Sequence, residues 1–366
     1  MVYDNKLINK FFDGLKKTEN ISLQSINYQH NSINGVLFKD NKKIFFKVIS
    51  RNEVLRENDS IKICSSLFPV MEQTDVYLFN DNFCVVLYNY DMNVEINKGL
   101  LNDYFVDNDF NQSYDETPIS KILSFYEKSS RISKKIKKAP IDIFFRDRVL
   151  SRLNKWYKNN DDFCKTVIFN GQKSVTTEKI IEDTVLYFQS IKEHDGFITQ
   201  GDHNVLNIST TPYFFDVSSA GYNYAIGEFA MCFISILLFD QYICPKYHKE
   251  SYKNHEKIFD LLDNYKPQIN YNISDHNIVI NCEFKISKVR RTYILKFLDI
   301  VRDFDIYNDL IYFIIMRLLC IFNINTFDKD DYYYILFLIH WFYSELSDLN
   351  YNKLRNTILK MSLYVE

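Results

Sequence analysis

The residues of this chain that are best suited to chemistry lie in one short segment, residues 196–230. Asp202 follows an apolar run and Gly201, and Asn207 lies five residues after Asp202. A Thr-Thr-Pro turn then joins two short β-like runs, the second of which ends at Asp216, so hairpin pairing is expected to bring Asn207 and Asp216 together. A carboxamide and a carboxylate placed in this way suit Mg²⁺, which binds through one or two carboxylates and substrate phosphates. Asp202 is then left to orient a hydroxyl nucleophile.

Lys47 needs a negatively charged neighbour. It lies on the second strand of a predicted hairpin, on the same face as Phe45 and Ile49. Because the burial of an unpaired ammonium group is costly, a carboxylate or a phosphate must lie near it. Glu57 is on the following helix, with apolar residues one turn before and one turn after it, and this spacing turns its side chain towards the sheet. Glu53, one turn earlier, stays open as the alternative partner.

The elements around these residues follow a simple order. An amphipathic helix is predicted at the start, and residues 21–90 then read as a hairpin, a helix and a second hairpin. Residues 93–120 are polar and acidic and are expected to form a weakly structured connector. From residue 119 the pattern is mainly helical, including a helix with a basic tail at residues 131–138, and a strand pair is predicted within residues 269–287.

Length and composition are those of an ordinary folded protein. The chain has 366 residues, 46% hydrophobic and 25% charged, which supports a sizeable core and roughly two domains or one bilobal enzyme. A formal net charge of -3 argues against a dedicated nucleic-acid-binding protein. The apolar runs are too short to span a membrane, Arg317 interrupts one of them, and the N-terminus has no apolar signal region. The scattered cysteines are typical of reduced thiols, so we expect a cytoplasmic protein without membrane partners, and its oligomeric state stays open.

Taken together, these motifs resemble those of the aminoglycoside phosphotransferase and choline kinase-like family, over about residues 20–235. That family has a Gly-Asp-x4-Asn loop, a strand that ends in Asp, a glycine-containing loop and an acidic residue that opens a helix. The matching residues here are, in order, Gly201, Asp202, Asn207, Asp216, Gly221 and Glu228. Gln200 stands where the family usually has His, Val217 replaces the usual aromatic or acidic residue after the metal-binding Asp, and the nucleotide-covering stretch has one glycine, Gly35.

The resemblance implies an α+β, bilobal protein-kinase-like fold with a small β-rich N-lobe, residues 1–90, and a large, mainly helical C-lobe, residues 91–366. It implies transfer of the γ-phosphoryl group of ATP to a hydroxyl group of a small molecule, with Mg²⁺ as the metal. The acceptor would be an amino sugar or antibiotic, a choline-like compound or a sugar.

The resemblance also assigns roles to individual residues. Lys47, fixed by Glu57, would hold the ATP phosphates, Asn207 and Asp216 would hold Mg²⁺, and Asp202 would be the catalytic residue. The backbone of the hinge strand would bind adenine through residues Leu87, Tyr88, Asn89 and Tyr90. Gln200 would support the loop, Glu228 is expected to cap its helix, and His203 is given no role.

Two other functions stay open, a non-catalytic kinase-fold binding or regulatory protein and a kinase that acts on protein side chains. The intact set of Lys47, Asp202, Asn207 and Asp216 argues against the first. The short span that follows Asp216, without an Ala-Pro-Glu-like segment, argues against the second. The sequence does not identify the acceptor. A cationic acceptor could be attracted by the acidic residues near the C-terminus, which are Asp328, Asp330, Asp331, Glu345 and Asp348.

Overall fold

The N-terminal part of the chain forms an antiparallel sheet with one helix on each face. In the computed structural model, residues 5–29, 32–40, 42–89, 99–190, 192–346 and 348–361 are described. The elements of the N-lobe are α1 (Asn5–Glu19), β1 (Ile21–Gln29), β2 (Ser32–Lys39), β3 (Lys42–Ser50), α2 (Arg51–Cys64), β4 (Gln73–Leu78) and β5 (Phe83–Asn89). The strand order is β1-β2-β3-β5-β4, and the predicted sequence of hairpin, helix and hairpin is confirmed with one further strand, β1, before it.

The alternation of side chains along β3 decides which residues face the rest of the molecule. Phe46 and Val48 are buried on one face, against Phe12 of α1. Phe45 and Ile49 lie on the opposite face with Val54 of α2. Since successive side chains of a strand point to opposite faces, Lys47 is on the α2 face, which looks towards the C-terminal part of the chain.

The C-terminal part is mainly helical. Its helices are α3 (Leu101–Asn108), α4 (Thr117–Ser130), α5 (Arg146–Arg148), α6 (Asn154–Tyr157), α7 (Thr177–Gln189), α8 (Ala225–Ile234), α9 (Cys244–Tyr247), α10 (Lys249–Tyr252), α11 (Leu262–Tyr265), α12 (Lys288–Ile300), α13 (Leu310–Cys320), α14 (Lys329–Glu345) and α15 (Tyr351–Lys360). Two segments, Val149–Leu153 and Ser235–Ile243, are π-helical. The predicted α+β architecture, with a small β-rich N-lobe and a large, mainly helical C-lobe, is confirmed.

Two small sheets complete the C-lobe. Their strands are β6 (Lys134–Ile136), β7 (Thr166–Phe169), β8 (Gln172–Thr176), β9 (His194–Thr199), β10 (Gly221–Tyr224), β11 (Gln268–Ile273) and β12 (Asn277–Glu283). One sheet has the order β10-β9-β6 and the other β11-β12-β7-β8. The strand pair predicted within residues 269–287 is confirmed as β11 and β12.

Two predictions about the region before β7 were wrong. The connector of residues 93–120 contains α3 and the start of α4, because Leu101, Phe105 and Val106 are apolar residues that bury one face of a helix despite the acidic composition around them. The basic tail expected to extend α4 instead contains the short strand β6, which pairs with β9. Its basic residues are exposed, as expected, but pairing and packing with distant residues decided the conformation in both places.

One long apolar helical run of the described chain lies in the core. The stretch Ala225–Tyr247 is long and apolar enough to cross a membrane by length and composition alone, with a mean hydropathy of 1.5, yet this window is 100% buried inside the protein. Packing against the surrounding helices therefore accounts for its apolar character.

Candidate functional site

A cleft between the two lobes holds the residues that the sequence singled out. Its cavity of about 650 Å³ is lined on the N-lobe side by Phe45, Lys47, Glu57, Met71 and Tyr88. The facing loop of the C-lobe contributes Asp202, Asn204, Asn207 and Asp216. The structure thus brings together the predicted phosphate-binding, metal-binding and catalytic residues in one cavity, although Lys47 and Asp216 are 169 positions apart in the chain.

Lys47 lies between two carboxylates. Its Nζ is 3.1 Å from Asp216 Oδ1 and 3.9 Å from Glu57 Oε1. Burial by itself lowers the pKa of Lys47, but the charges of Asp216 and Glu57 more than offset this effect and raise the pKa above its ordinary value. The lysine is therefore held as a cation at the junction of the lobes.

Glu57, and not Glu53, is the partner of Lys47 on α2. Glu57 is 3% exposed, and its Oε2 accepts hydrogen bonds from the Tyr88 hydroxyl at 2.6 Å and from Gln73 Nε2 at 3.3 Å. Glu53 instead forms a capping box with Ser50, in which the Ser50 backbone N–H donates to Glu53 Oε2 at 2.8 Å. This local hydrogen bonding commits Glu53 to the start of α2.

Asp202 lines the cleft, and its two carboxylate oxygens differ in their hydrogen bonds. Its Oδ2 accepts hydrogen bonds from Asn207 Nδ2 at 3.0 Å and from Asn204 Nδ2 at 3.1 Å. Oδ1 makes none with any residue of the described ranges. Burial raises the pKa of Asp202, and the positive charge of Arg317 opposes that shift. A carboxylate that lines a cavity and is fixed through one of its oxygens can orient a hydroxyl group and accept its proton.

Asn207 and Asp216 are joined by the expected hairpin. Ile208 pairs with Phe214 in an antiparallel bridge, and the Phe215 backbone N–H donates to the Asn207 carbonyl at 2.9 Å. Asp216 has a left-handed backbone with φ 49°, which turns its side chain towards Lys47, and the charge of Lys47 lowers the pKa of Asp216. The Asn207 amide nitrogen is used by Asp202, so its carboxamide oxygen remains as a ligand atom. One carboxamide oxygen and one ionised carboxylate fit the hard oxygen ligands that Mg²⁺ prefers.

Gln200 connects the two acidic residues through their backbone. It is fully buried; its Nε2 donates to the carbonyls of Phe215 at 2.7 Å and Asp216 at 2.9 Å, and its Oε1 accepts from the Asp202 N–H at 2.9 Å. The sequence indicated only that this residue supports the loop, and the three contacts show how it does so. The neighbouring Gly201 has φ 86°, and a Cβ there would lie 2.0 Å from the Ser219 carbonyl oxygen, so no other residue fits.

The hinge prediction needs a correction. Leu87 and Tyr88 lie inside β5, which is paired with β3 on one side and β4 on the other, so the sheet uses their backbone groups. Asn89 is the last residue of β5, and its N–H donates to the Glu72 carbonyl at 2.9 Å. Tyr90 lies outside the described residues. Among the hinge residues, Tyr88 lines the cleft with its side chain, and that side chain binds Glu57.

Glu228 lies in the first turn of α8 but does not cap it. It is fully buried, its Oε2 accepts a hydrogen bond from Thr199 Oγ1 at 3.0 Å, and burial raises its pKa to about 8. His203, which the sequence left without a role, is also fully buried and lies 2.7 Å from the Tyr293 hydroxyl through Nε2. Neither residue lines the cleft.

The acidic residues near the C-terminus do not lie at the cavity. Asp328 and Asp331 pair with Lys246 at 2.9 and 2.6 Å, and Asp330 pairs with Lys266 at 3.8 Å. Neither these three nor Glu345 and Asp348 contribute to the cavity wall. The expectation that these residues attract a cationic acceptor was therefore wrong. Three of them are paired with lysines, and all five lie away from the cavity.

Comparisons with known proteins identify similar solved structures. No protein-family model matches the chain, and no curated protein matches it in sequence. Aminoglycoside phosphotransferase APH(4)-Ia is similar at 11% identity and a TM-score of 0.43, over 80% of this chain and 89% of that one. A thermostable mutant of it, in ternary complex with ADP and hygromycin B, is similar at 10% identity and a TM-score of 0.42, over 78% and 88% of the two chains. APH(3'')-Id from Streptomyces rimosus is similar at 11% identity and a TM-score of 0.38, over 80% and 98%.

Proposed function

We propose that this chain is an ATP- and Mg²⁺-dependent phosphotransferase that phosphorylates a hydroxyl group of a small molecule. The observation that carries the proposal is the arrangement around Lys47. One lysine meets the buried Glu57 and the cleft-lining Asp216. Asp202, whose Oδ1 has no hydrogen-bond partner among the described residues, lines the same cavity. Phosphoryl transfer needs a cation that binds the phosphates, oxygen ligands for the metal ion and a separate carboxylate for the acceptor hydroxyl.

In the proposed reaction, Lys47 binds the phosphates of ATP and Asn207 and Asp216 hold Mg²⁺, which would neutralise charge on those phosphates. Asp202 orients the acceptor hydroxyl and accepts its proton. The bond between the γ-phosphorus and the oxygen of ADP breaks as the bond to the acceptor oxygen forms, so ADP and a phosphate ester are the products. Positioning and electrostatic stabilisation supply most of the catalysis in reactions of this type.

Substitution of Asp202 tests the proposal. The Asp202→Asn variant keeps the shape of the side chain but removes the proton acceptor, so ATP consumption should fall by roughly 10²-fold or more. The affinity for Mg–ATP, measured by calorimetry, should stay within a few-fold, since Asp202 makes no contact with Lys47.

Asp216→Ala is the complementary variant. It removes the predicted metal ligand and should abolish Mg²⁺-dependent ATP binding while the chain stays folded. Normal turnover by Asp202→Asn, or unchanged Mg–ATP affinity in Asp216→Ala, would contradict the assigned roles. Binding of Mg–ATP by the wild-type chain without any turnover would instead support a non-catalytic protein of this fold.

A further inference from the structure

Three arginines form one wall of the cleft, on the C-lobe side of Asp202. Arg148 is the last residue of α5, Arg152 lies in the π-helical segment Val149–Leu153, and Arg317 is on α13. All three line the cavity that contains Asp202. They lie across the cavity from the N-lobe residues to which we assign the nucleotide, so this wall belongs to the acceptor side.

Arg317 is a buried cation that forms no ion pair with the described residues. It is 6% exposed, and the nearby charges of Asp202 and Asp240 only oppose the effect of burial on its pKa, since neither carboxylate lies within 4 Å of it. Its Nε atom is buried and has no hydrogen-bond partner among the described residues. A buried charge is ordinarily paired, because an unpaired one carries the full cost of its desolvation. This guanidinium therefore points to a ligand.

Arg148 and Arg152 are held in place by hydrogen bonds that use only some of their N–H donors. Nη1 of each donates to the carbonyl of Cys320, at 3.0 and 2.6 Å, where α13 ends and its last carbonyls have no partner within the helix. A guanidinium carries five N–H donors, so most of those of both residues remain available. Burial, followed by the positive charges of Arg317 and Arg152, lowers the pKa of Arg148 to about 9.

The acidic residues of the described ranges form no ion pair with these three arginines, although the charge of Asp202 acts on Arg317 and Arg148 from further away. Asp240 also lines the cavity, but it accepts hydrogen bonds from the Val205 N–H at 3.3 Å and the Tyr252 hydroxyl at 3.4 Å, and burial raises its pKa. Glu250 also lines the cavity, and it is exposed. Both π-helical segments of the described chain contribute to this wall, and such segments are frequent at functional sites.

We infer that the acceptor is an anionic alcohol, a hydroxyl compound whose phosphate or carboxylate group is bound by Arg148, Arg152 and Arg317 while its hydroxyl group meets Asp202. Guanidinium groups bind both kinds of anion through paired, charge-assisted hydrogen bonds. A positively charged amino sugar or choline-like compound would be repelled by the same wall. This inference rests on the proposed function for its hydroxyl group, but the anion site can be tested separately.

The test measures binding of simple anions and needs neither the acceptor nor turnover. Inorganic phosphate and malonate are titrated by calorimetry into the wild-type chain, and glucosamine serves as the cationic probe. Arg317→Met should weaken binding of the anion that the wild type prefers by about tenfold or more, the size expected for lost hydrogen bonds to a charged group. Arg131→Met is the matched control, because Arg131 is exposed and, within the described ranges, forms an ion pair with Glu127 alone, one turn earlier on α4.

Two further variants show where the anion binds. Lys47→Ala should leave anion binding within a few-fold of wild type, which separates this site from the nucleotide phosphates. Arg317→Lys keeps the charge but loses the paired donors, and its affinity should fall between wild type and Arg317→Met. Thermal unfolding checks that Arg317→Met folds. The unfolding midpoint of this variant should not lie below that of the wild type, since the substitution removes a buried charge that has no ion pair within the described residues.

The possible outcomes separate the two proposals. Loss of anion binding in Lys47→Ala but not in Arg317→Met would overturn the inference. It would also be overturned if the wild-type chain bound neither anion, or if it bound glucosamine more tightly than the anions. Mg–ATP binding is measured on the same samples. If the chain binds anions through Arg317 but does not bind Mg–ATP, the anion site stands and the proposed phosphotransferase function fails.

Discussion

The role of Gln200 leads to a prediction that joins stability to function. Its side chain makes three hydrogen bonds, to the carbonyls of Phe215 and Asp216 and from the N–H of Asp202, and it is completely buried. The variant Gln200→Met has a similar shape but can make none of them. At roughly 1 kcal/mol for each hydrogen bond, the free energy of unfolding should fall by about 3 kcal/mol.

The matched control is another buried glutamine. Gln241 is 2% exposed, and its Nε2 makes a single hydrogen bond, to the Lys285 carbonyl at 3.1 Å. Gln241→Met should therefore cost about 1 kcal/mol. Gln200→His, which introduces the residue usual in the resembling family, can keep at most two of the three hydrogen bonds, so its loss should be intermediate. Urea unfolding, followed by circular dichroism, gives the three values under one condition.

Turnover distinguishes a positioning residue from one that is only structural. Gln200 fixes the backbone of both Asp202 and Asp216, so its loss should displace the Asp202 carboxylate relative to the ATP phosphates. At temperatures where the variant is folded, ATP consumption should therefore fall by roughly 10²-fold. Gln241→Met should keep its turnover. Equal losses of stability in the two methionine variants, or a destabilised Gln200→Met with normal turnover, would refute the reasoning.

Two further predictions concern Lys47 and Gly201. Lys47→Ala should raise the KM for ATP much more than the KM for the acceptor in steady-state assays, because Lys47 lies on the nucleotide side of the cleft; an equal rise in both would contradict that assignment. Gly201→Ala should destabilise the fold by about 3 kcal/mol in urea unfolding, since Gly201 has φ 86° and a Cβ would meet the Ser219 carbonyl oxygen. The control Gly14→Ala lies in α1 with open space around it and should be neutral or stabilising.

Much of the fold and of the site was predictable from local sequence. The alternation of apolar residues in β3 placed Lys47 on the correct face, and the apolar residues one turn away from Glu57 directed that side chain to the sheet. The turn between Asn207 and Asp216 predicted the hairpin that brings them together. Each of these inferences depends on spacing within a few residues, where the periods of strands and helices fix which side chains are neighbours.

Other features depended on contacts between distant parts of the chain. The pairing of Lys47 with Glu57 and not with Glu53 depends on Ser50, which holds Glu53 in the capping box. The backbone of Leu87 was expected to bind adenine, but β4 and β3 enclose its strand on both sides. Periodicity alone predicts neither which strands flank β5 nor which of Glu53 and Glu57 binds Lys47, because both depend on residues that the fold brings close.

The charge of the acceptor side was decided by the tertiary structure alone. In the sequence, the acidic residues near the C-terminus suggested a cationic acceptor, and Arg317 was only an interruption in an apolar run. In the folded chain, Asp328 and Asp331 are paired with Lys246 away from the cleft, whereas Arg317 lines the same cavity as Asp202, together with Arg148 and Arg152. The sequence by itself determined which elements form and which side chains share a face, because these follow from local geometry. The electrostatic character of a cavity depends on residues from separate helices, and only the packing of those helices brings their charges together.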